Sequence, residues 1–288
     1  MIELLQTSPM VWVAVVFIYA LLIGSFLNVV ILRLPARMEF DWRVQASEVL
    51  DQSPPEQSRP GSLVVSRSAC PKCHQKLRWF HNIPLISYLA LKGKCAHCEN
   101  PISIQYPAVE LFTAVASAVV AWKFGFQWAV VPALILTWTL IALSGIDIRK
   151  QLLPDSMTYP LLWLGLLLST QNLFTNPIDS IVGATVGYLS LWSVYHLFRL
   201  TTGKEGMGYG DFKLLAAFGA WLGWQAIPLV IILSSLVGAV VGIAMIVISG
   251  RDKSVPMPFG PFIAAAGWIA LLWGQQLTNL YFEFSGIN

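Results

Sequence analysis

Residues 11–32 read VWVAVVFIYALLIGSFLNVVIL, a stretch without any charged side chain. A helix that crosses a bilayer needs about 20 mainly apolar residues, so this stretch predicts a transmembrane helix. A cleavable signal peptide is the alternative. However, no basic residue precedes the stretch, and Arg33-Leu34-Pro35 follows it where a small-residue cleavage site would stand. We therefore predict a permanent first span.

The composition of the whole chain is that of a membrane protein. Of its 288 residues 11% are charged, against about 25% in an average soluble domain. The hydrophobic fraction of 56% and the mean hydropathy of +0.65 exclude a soluble fold. We predict an all-α polytopic membrane protein. Its eight candidate spans are residues 11–32, 108–126, 128–147, 157–173, 179–200, 211–224, 226–248 and 260–280.

The basic residues predict the orientation of the chain. Ten of the 18 lysines and arginines lie between Arg33 and Lys94, and the others, except Lys123, lie in or beside loops on the same side. Because loops rich in Lys and Arg stay in the cytoplasm, we expect both termini in the periplasm. Topology accounts for the net charge of +3, so we predict no nucleic acid partner. The expected parts are a first helix at 1–32, a cytoplasmic loop at 33–107 and a seven-helix membrane domain at 108–288.

All four cysteines lie in this loop, in two CxxC pairs. The pairs resemble the two knuckles of a zinc ribbon. Two disulfides or four reduced thiols are the alternatives, but a reducing cytoplasm disfavours disulfides. His74 and His97 are substitute ligands or solvated loop residues. Because a site with four sulfur ligands is closed, we predict a structural zinc ion at Cys70, Cys73, Cys95 and Cys98.

Two aspartates stand at predicted span ends on the cytoplasmic side. Asp147 ends the third span and Asp211 begins the sixth. Two carboxyl groups at one depth can share a proton and activate water for peptide hydrolysis. In the alternative interpretations, Asp147 is a solvated carboxylate paired with Arg149 or Lys150, and Asp211 caps its helix.

Four more residues bear on these aspartates. We predict that Asp155, at the start of the fourth span, caps that helix. Glu110 has three interpretations: a residue that extends to the interface, a polar partner inside the bundle, or part of a second site. Gly208 and Gly210 permit positive φ angles, which would let an extended substrate approach Asp211.

Several segments together resemble the type IV prepilin peptidases, which are intramembrane aspartic proteases of the GxGD type. The resemblance extends from about residue 10 to residue 274. The segments are GSFLNVV at 24–30 with RLP at 33–35, the two CxxC pairs, NIP at 82–84, YP at 106–107 with EL at 110–111, and residues 146–155, 203–211 and 258–261.

This resemblance implies an activity. The family cleaves the basic leader of type IV prepilins and type II secretion pseudopilins after a glycine, then methylates the new N-terminal residue, usually Phe, with S-adenosylmethionine. Its catalytic aspartates fall on Asp147 and Asp211, and the tetracysteine loop is typical of bifunctional members. The implied location is the bacterial inner membrane. The oligomeric state stays open.

The methyl-donor site is less well defined by the sequence. No GxGxxG motif lies between a predicted strand and helix, so no dinucleotide-type fold is indicated. We expect the donor on the cytoplasmic side near the first loop. The candidate residues are Gly24, Asn28, Glu110, Lys204 and Glu205.

The first half of the loop, residues 39–60, is polar and predicts an irregular segment with a short helix. Its acidic residues either attract the basic leader or are simply solvated. They are Glu39, Asp41, Glu48, Asp51 and Glu56.

Two other functions remain compatible with the sequence. The first is a peptidase without methylation, whose zinc loop is structural or a docking module. The second is a non-enzymatic transporter or assembly scaffold. A transporter is expected to carry carboxylates near the membrane midplane, whereas these are predicted at one edge.

Overall fold

The computed structural model describes residues 2–66, 68–70, 72–249 and 257–285, and these are largely helical. No strand forms in the described residues, which contain two isolated bridges, Ala69 with Lys76 and Lys94 with Pro101. The predicted all-α polytopic fold is confirmed. Arg251 and Lys253, which contributed to the predicted orientation, lie outside the described residues.

The chain forms two compact units, Met1–Ala142 and Leu143–Asn288. The fifth helix begins in the first unit and ends in the second. The helices are α1 (Ile2–Thr7), α2 (Pro9–Val49), α3 (Ile86–Ala90), α4 (Gln105–Phe124), α5 (Val130–Lys150), α6 (Asp155–Ser169), α7 (Pro177–Thr202), α8 (Tyr209–Leu222), α9 (Ile227–Ser249) and α10 (Gly260–Ser285).

Each of the eight predicted spans corresponds to one of these helices. In the described chain five segments are long and apolar enough to cross a membrane: Pro9–Val49, Gln105–Phe124, Val130–Lys150, Pro177–Thr202 and Trp224–Ile248. α6 and α8 have only 15 and 14 residues. At 1.5 Å per residue they measure about 21–23 Å, less than the hydrocarbon core of about 30 Å. α10 is long enough, but Gln275 and Gln276 make it less apolar.

α2 is longer than the sequence predicted. We expected the first span to end at residue 32 and residues 39–60 to form an irregular segment with a short helix, but the helix continues to Val49 and comprises 41 residues. Pro35 lies inside it without ending it. The prediction was wrong because it relied on the end of the apolar run. Charged residues such as Arg43 and Glu48 are good helix formers without being apolar.

α2 and α4 pack against each other in the first unit. Gly24 marks a close approach, since a Cβ there would lie 2.7 Å from the Glu110 Cα atom. Only glycine lets the two backbones come this near. The first part of α5 is tied to α4 by Trp138, whose Nε1 donates a hydrogen bond to Ser117 Oγ at 2.9 Å.

α8 is the buried centre of the second unit, and α6, α7 and α10 pack against it. Nearly all of its residues from Asp211 to Trp221 are buried. α7 and α8 touch through their backbones at Gly183 and Gly219, where a Cβ on either glycine would overlap the other helix. Because protein surrounds α8, its hydrogen-bonded backbone does not have to match the thickness of the bilayer.

Candidate aspartate site and tetracysteine centre

Asp147 lies in the last turn of α5, and its carboxylate faces the first residue of α10. The backbone N–H of Gly260 donates a hydrogen bond to Asp147 Oδ2 at 3.0 Å. The first N–H groups of a helix have no partner within the helix and favour a negative charge. Asp147 is only 5% exposed. The interpretation of Asp147 as a solvated carboxylate is therefore wrong.

Asp211 lies in the first turn of α8 and is 6% exposed. The N-cap residue of α8 is Gly208, and the Asp211 N–H donates to the Gly208 carbonyl oxygen at 3.2 Å. A carboxylate in a first turn complements the helix dipole, so a role at the helix terminus and a role in a dyad are compatible. The charge of Asp147 acts on the carboxyl group of Asp211. The two aspartates thus belong to one site.

Leu153, in the turn between α5 and α6, packs against Gly210, which precedes Asp211, and against Gly260, which binds Asp147. A Cβ on Gly210 would lie 2.7 Å from Leu153 Cβ, and a Cβ on Gly260 would lie 3.1 Å from Leu153 Cδ2. The same Cβ on Gly260 would lie 2.7 Å from Asp147 Oδ2. Glycine at both positions therefore lets the chain close around Leu153 and the carboxylates.

Gly208 and Gly210 do not use the positive φ angles that glycine permits. Gly208 has a φ of −86°, and neither residue is among the positive-φ glycines of the described chain. The structural demand at Gly210 is steric instead, because the Leu153 side chain leaves no room for a Cβ.

Asp155 does not have the capping role that we predicted. The N-cap residue of α6 is Pro154, and Asp155 Oδ1 accepts a hydrogen bond from Lys213 Nζ at 2.6 Å. The Lys213 ammonium also lies 5.0 Å from the centroid of the Tyr159 ring. Because Lys213 follows Asp211 by two residues, these contacts hold the first turn of α8 against α6.

Three residues of this site were not identified from the sequence: Gly260, Leu153 and Lys213. Gly260 and Leu153 lie in segments that carry the resemblance to prepilin peptidases, which was the available indication. No local pattern reveals that their atoms meet, since residues 147 and 260 are far apart in the chain.

The four cysteines form a cluster in the first unit. Their Sγ atoms all lie within 4.8 Å of one another, and the Cys70 and Cys98 Sγ atoms are 3.8 Å apart. A disulfide would require about 2.05 Å, and all four thiols are free. Tetrahedral zinc with Zn–S bonds of about 2.3 Å separates its sulfur ligands by about 3.8 Å. The cluster therefore fits one zinc ion, and neither His74 nor His97 belongs to it in the described residues.

The two CxxC turns are built alike. The N–H of Cys70 donates to the Gln75 carbonyl oxygen at 3.0 Å, and the N–H of Cys95 donates to that of Asn100 at 2.9 Å. The residue after the second cysteine of each pair has a left-handed backbone, with φ of 57° at His74 and 54° at Glu99. The two knuckles are thus repeats of one turn.

Backbone N–H groups in these turns favour the thiolate form of the first cysteine of each pair. Hydrogen bonds from the N–H groups of Cys73 and Lys72 lower the pKa of Cys70 to about 6. Those of His97 and Cys98 lower the pKa of Cys95. At Cys98 the Asn100 N–H is outweighed, and burial and the other three thiols raise the pKa to about 11. Because the thiolate is the form that binds metal, both turns are prepared for an ion.

Glu110 and Asn28 form a buried polar cluster between α2 and α4. Glu110 is 7% exposed, and its Oε2 accepts the backbone N–H of Leu85 at 2.9 Å. Asn28 Nδ2 donates to the carbonyl oxygens of Gly24 and Tyr106 at 3.3 and 3.0 Å. Asn28 Oδ1 is buried without a hydrogen-bond partner among the described residues. Of the interpretations of Glu110, a polar partner inside the bundle matches these contacts.

The donor-site candidates therefore divide into two groups. Gly24, Asn28 and Glu110 meet in the first unit, whereas Lys204 and Glu205 are exposed residues after α7 in the second. Among the acidic loop residues, Asp41 pairs with Arg59 at 2.7 Å, which offsets its charge.

Comparison with known proteins identifies the family. The model of the bacterial peptidase A24 N-terminal domain matches residues 18–124, and that of the type IV leader peptidase family matches residues 134–243. A Pseudomonas aeruginosa protein named prepilin leader peptidase/N-methyltransferase is 52% identical over 288 residues, which is 100% of this chain and 99% of its own. The chain belongs to the type IV leader peptidase family.

Relatives of this leader peptidase from other bacteria carry the same name. An Aeromonas hydrophila protein is 50% identical over 282 residues, with 98% of this chain and 97% of its own covered. A Legionella pneumophila protein is 41% identical over 281 residues, with 98% of each chain covered. No solved structure matches the chain. In this leader peptidase, both aspartates fall in the range matched by the second model, and the tetracysteine cluster falls in the first.

Proposed function

We propose that this leader peptidase cleaves the leader of type IV prepilins and pseudopilins after a glycine, then methylates the new N-terminus. In this proposal Asp147 and Asp211 are the catalytic dyad. The observation that carries it is a pair of buried carboxyl groups, each beside a glycine that packs against Leu153, in a chain of the leader peptidase family.

Such a pair performs peptide hydrolysis as a unit that shares one proton. One carboxylate takes a proton from water while the water oxygen bonds to the scissile carbonyl carbon. The other carboxyl group gives its proton to the leaving nitrogen as the C–N bond breaks. The Gly260 N–H holds Asp147 in place, and the contact between Lys213 and Asp155 holds the turn that carries Asp211.

The predicted topology supports this substrate class. A prepilin has a basic leader in the cytoplasm and an apolar helix in the membrane, so its scissile bond lies at the cytoplasmic face of the inner membrane. The orientation predicted from the basic residues puts both aspartates at that face. The substrate has to unwind locally, because an intact helix keeps its peptide bonds in hydrogen bonds.

The second activity needs a methyl donor and an ordered first unit. S-adenosylmethionine supplies a methyl group to the free N-terminal amine of the cleaved substrate. The four cysteines would hold zinc in a closed site, which stabilises a loop that has little core of its own. The zinc ion is thus structural in this proposal.

The test uses the full chain in detergent with a synthetic prepilin that contains a Gly-Phe junction. We expect Asp147→Asn and Asp211→Asn to lose cleavage by at least about 10³-fold and to keep methylation of a pre-cleaved peptide. Asp179→Asn is the matched control, since Asp179 follows its N-cap Asn176 by three residues as Asp211 follows Gly208. Cleavage by either dyad variant would contradict its assignment. Cleavage by the wild-type protein without any methylation would favour the peptidase-only alternative.

A further inference from the structure

The first unit contains a cavity that the peptidase activity does not explain. Its volume is about 740 Å³, and its walls come from α2, from residues 63, 64, 66 and 68, and from the segment 76–84. Every lining residue lies within residues 18–124, the range matched by the N-terminal domain model. The peptidase model begins after this range, at residue 134.

The walls combine apolar, basic and small polar side chains. Phe26 and Phe80 provide aromatic surface, Lys76 and Arg78 provide positive charge, and Ser25 provides a hydroxyl group. Pockets of about 300–1,000 Å³ with mostly apolar walls and a few polar groups hold drug-sized ligands. This cavity has the size and lining for a nucleoside derivative that carries a carboxylate.

A negative charge lies directly behind one wall. The Ser25 side chain, which lines the cavity, interacts with the Glu110 carboxylate. Leu85, whose N–H binds Glu110 at 2.9 Å, follows the lining residue Pro84. Because Glu110 is only 7% exposed, water screens its carboxylate weakly and the field acts over several ångströms. The cavity therefore has basic side chains in its wall and an acidic group behind Ser25.

We propose that this cavity binds S-adenosylmethionine, with its carboxylate at Arg78 and Lys76 and its cationic sulfonium towards Glu110. The donor carries both signs of charge and an adenine that can stack on an aromatic ring, which matches the walls. This placement rests on the proposed function, because it gives the methylation a site separate from the dyad.

The first experiment measures donor binding to the full chain in detergent by isothermal titration calorimetry. Ser25→Leu fills the cavity from α2, and Arg78→Gln removes the charge. We expect each to weaken binding of S-adenosylmethionine by about tenfold or more. The controls are Ser193→Leu, an exposed serine on α7, and Arg43→Gln, an exposed arginine on α2. Both are expected to bind within about twofold of wild type.

A second comparison tests the role of Glu110. S-adenosylhomocysteine lacks the sulfonium charge, so Glu110→Gln should weaken S-adenosylmethionine several-fold more than S-adenosylhomocysteine. A merely structural role would weaken both ligands equally. Prepilin cleavage by each variant reports whether the second unit is folded, and zinc content measured by mass spectrometry reports whether the first unit is. If Ser25→Leu does not fold, Arg78→Gln tests the same cavity through an exposed side chain.

The outcomes separate the placement from the proposed function. If Ser25→Leu and Arg78→Gln bind the donor as wild type does and still methylate a pre-cleaved peptide, the placement is wrong and the function stands. If these substitutions reduce only the binding of phosphatidylglycerol in nanodiscs, the cavity is a lipid site and the proposal fails. A wild-type chain that neither binds the donor nor methylates would overturn both.

Discussion

Replacing Gly260 with alanine moves Asp147 without changing any charged group. The new Cβ would lie 2.7 Å from Asp147 Oδ2 and 3.1 Å from Leu153 Cδ2, whereas ordinary contacts begin at 3.4 Å. The carboxylate therefore has to withdraw by about 0.7 Å. The hydrogen bond from the Gly260 N–H, now 3.0 Å long, then exceeds the usual upper limit of about 3.2 Å.

The expected cost follows from this displacement. Misplacing a catalytic group by about 1 Å lowers a rate by about 10²-fold, which corresponds to about 2.7 kcal/mol in activation free energy. A hydrogen bond to a charged group contributes about 1.5–3 kcal/mol. The cost estimated from the displacement and the cost estimated from the lost hydrogen bond therefore agree. We expect Gly260→Ala to lower kcat/KM for leader cleavage by about 100-fold.

The assay compares cleavage of a synthetic prepilin by Gly260→Ala and Gly274→Ala. Both substitutions are in α10, but a Cβ on Gly274 would meet only Ala270 Cβ, at 3.9 Å. Methylation of a pre-cleaved peptide should be normal in both variants, and an unchanged Tm shows that the second unit, which contains both glycines, is folded. Cleavage by Gly260→Ala within about threefold of wild type, or an equal loss in Gly274→Ala, would refute the reasoning.

Substitutions at three further sites test other contacts. Cys70→Ser should lower the zinc content, measured by mass spectrometry, well below one ion per chain and reduce Tm, because one thiolate ligand is lost; full occupancy would contradict the structural zinc site. Lys213→Met should lower cleavage by about three- to tenfold and change stability by less than about 1 kcal/mol, since Asp155 is half exposed. Adding Asp155→Asn should then cause no further loss, and additive losses would argue against this contact. Asn28→Asp replaces a donor to two carbonyl oxygens with a carboxylate, so the unfolding free energy should fall by about 3 kcal/mol, and an unchanged Tm would exclude this role.

The order of helices could be predicted because long apolar runs have few alternatives in a chain of this composition. That Asp147 and Asp211 lie near each other could also be predicted. Counting the predicted spans puts both residues at span ends on the same side of the membrane. The continuation of α2 past Pro35 could not be predicted. A polar helix on the surface has neither an apolar run nor a single period that distinguishes it from a loop.

The contacts around the aspartates could not be predicted from the sequence, for a different reason. Gly260 and Leu153 act through distances between segments that are remote in the chain, and a glycine required for close packing looks like one required for a turn. Asp155 shows the same limit, because an aspartate after a proline at a helix start predicts a cap. Its actual partner, Lys213, lies on another helix.

Because α2 is continuous, its length before a given residue determines the direction in which that residue's side chain points. At 1.5 Å per residue its 41 residues measure about 61 Å, twice the thickness of a hydrocarbon core. In this helix, Arg33 donates hydrogen bonds to the carbonyl oxygens of Ser62 and Ser66, and Arg37 donates one to that of Pro60. One residue inserted before Arg33 would turn these guanidinium groups by about 100° away from the loop, whereas seven would return them to within about 20°. Seven inserted residues would also move Arg33 and Arg37 by about 10.5 Å along the axis, so the loop contacts fix the length of α2 before Arg33.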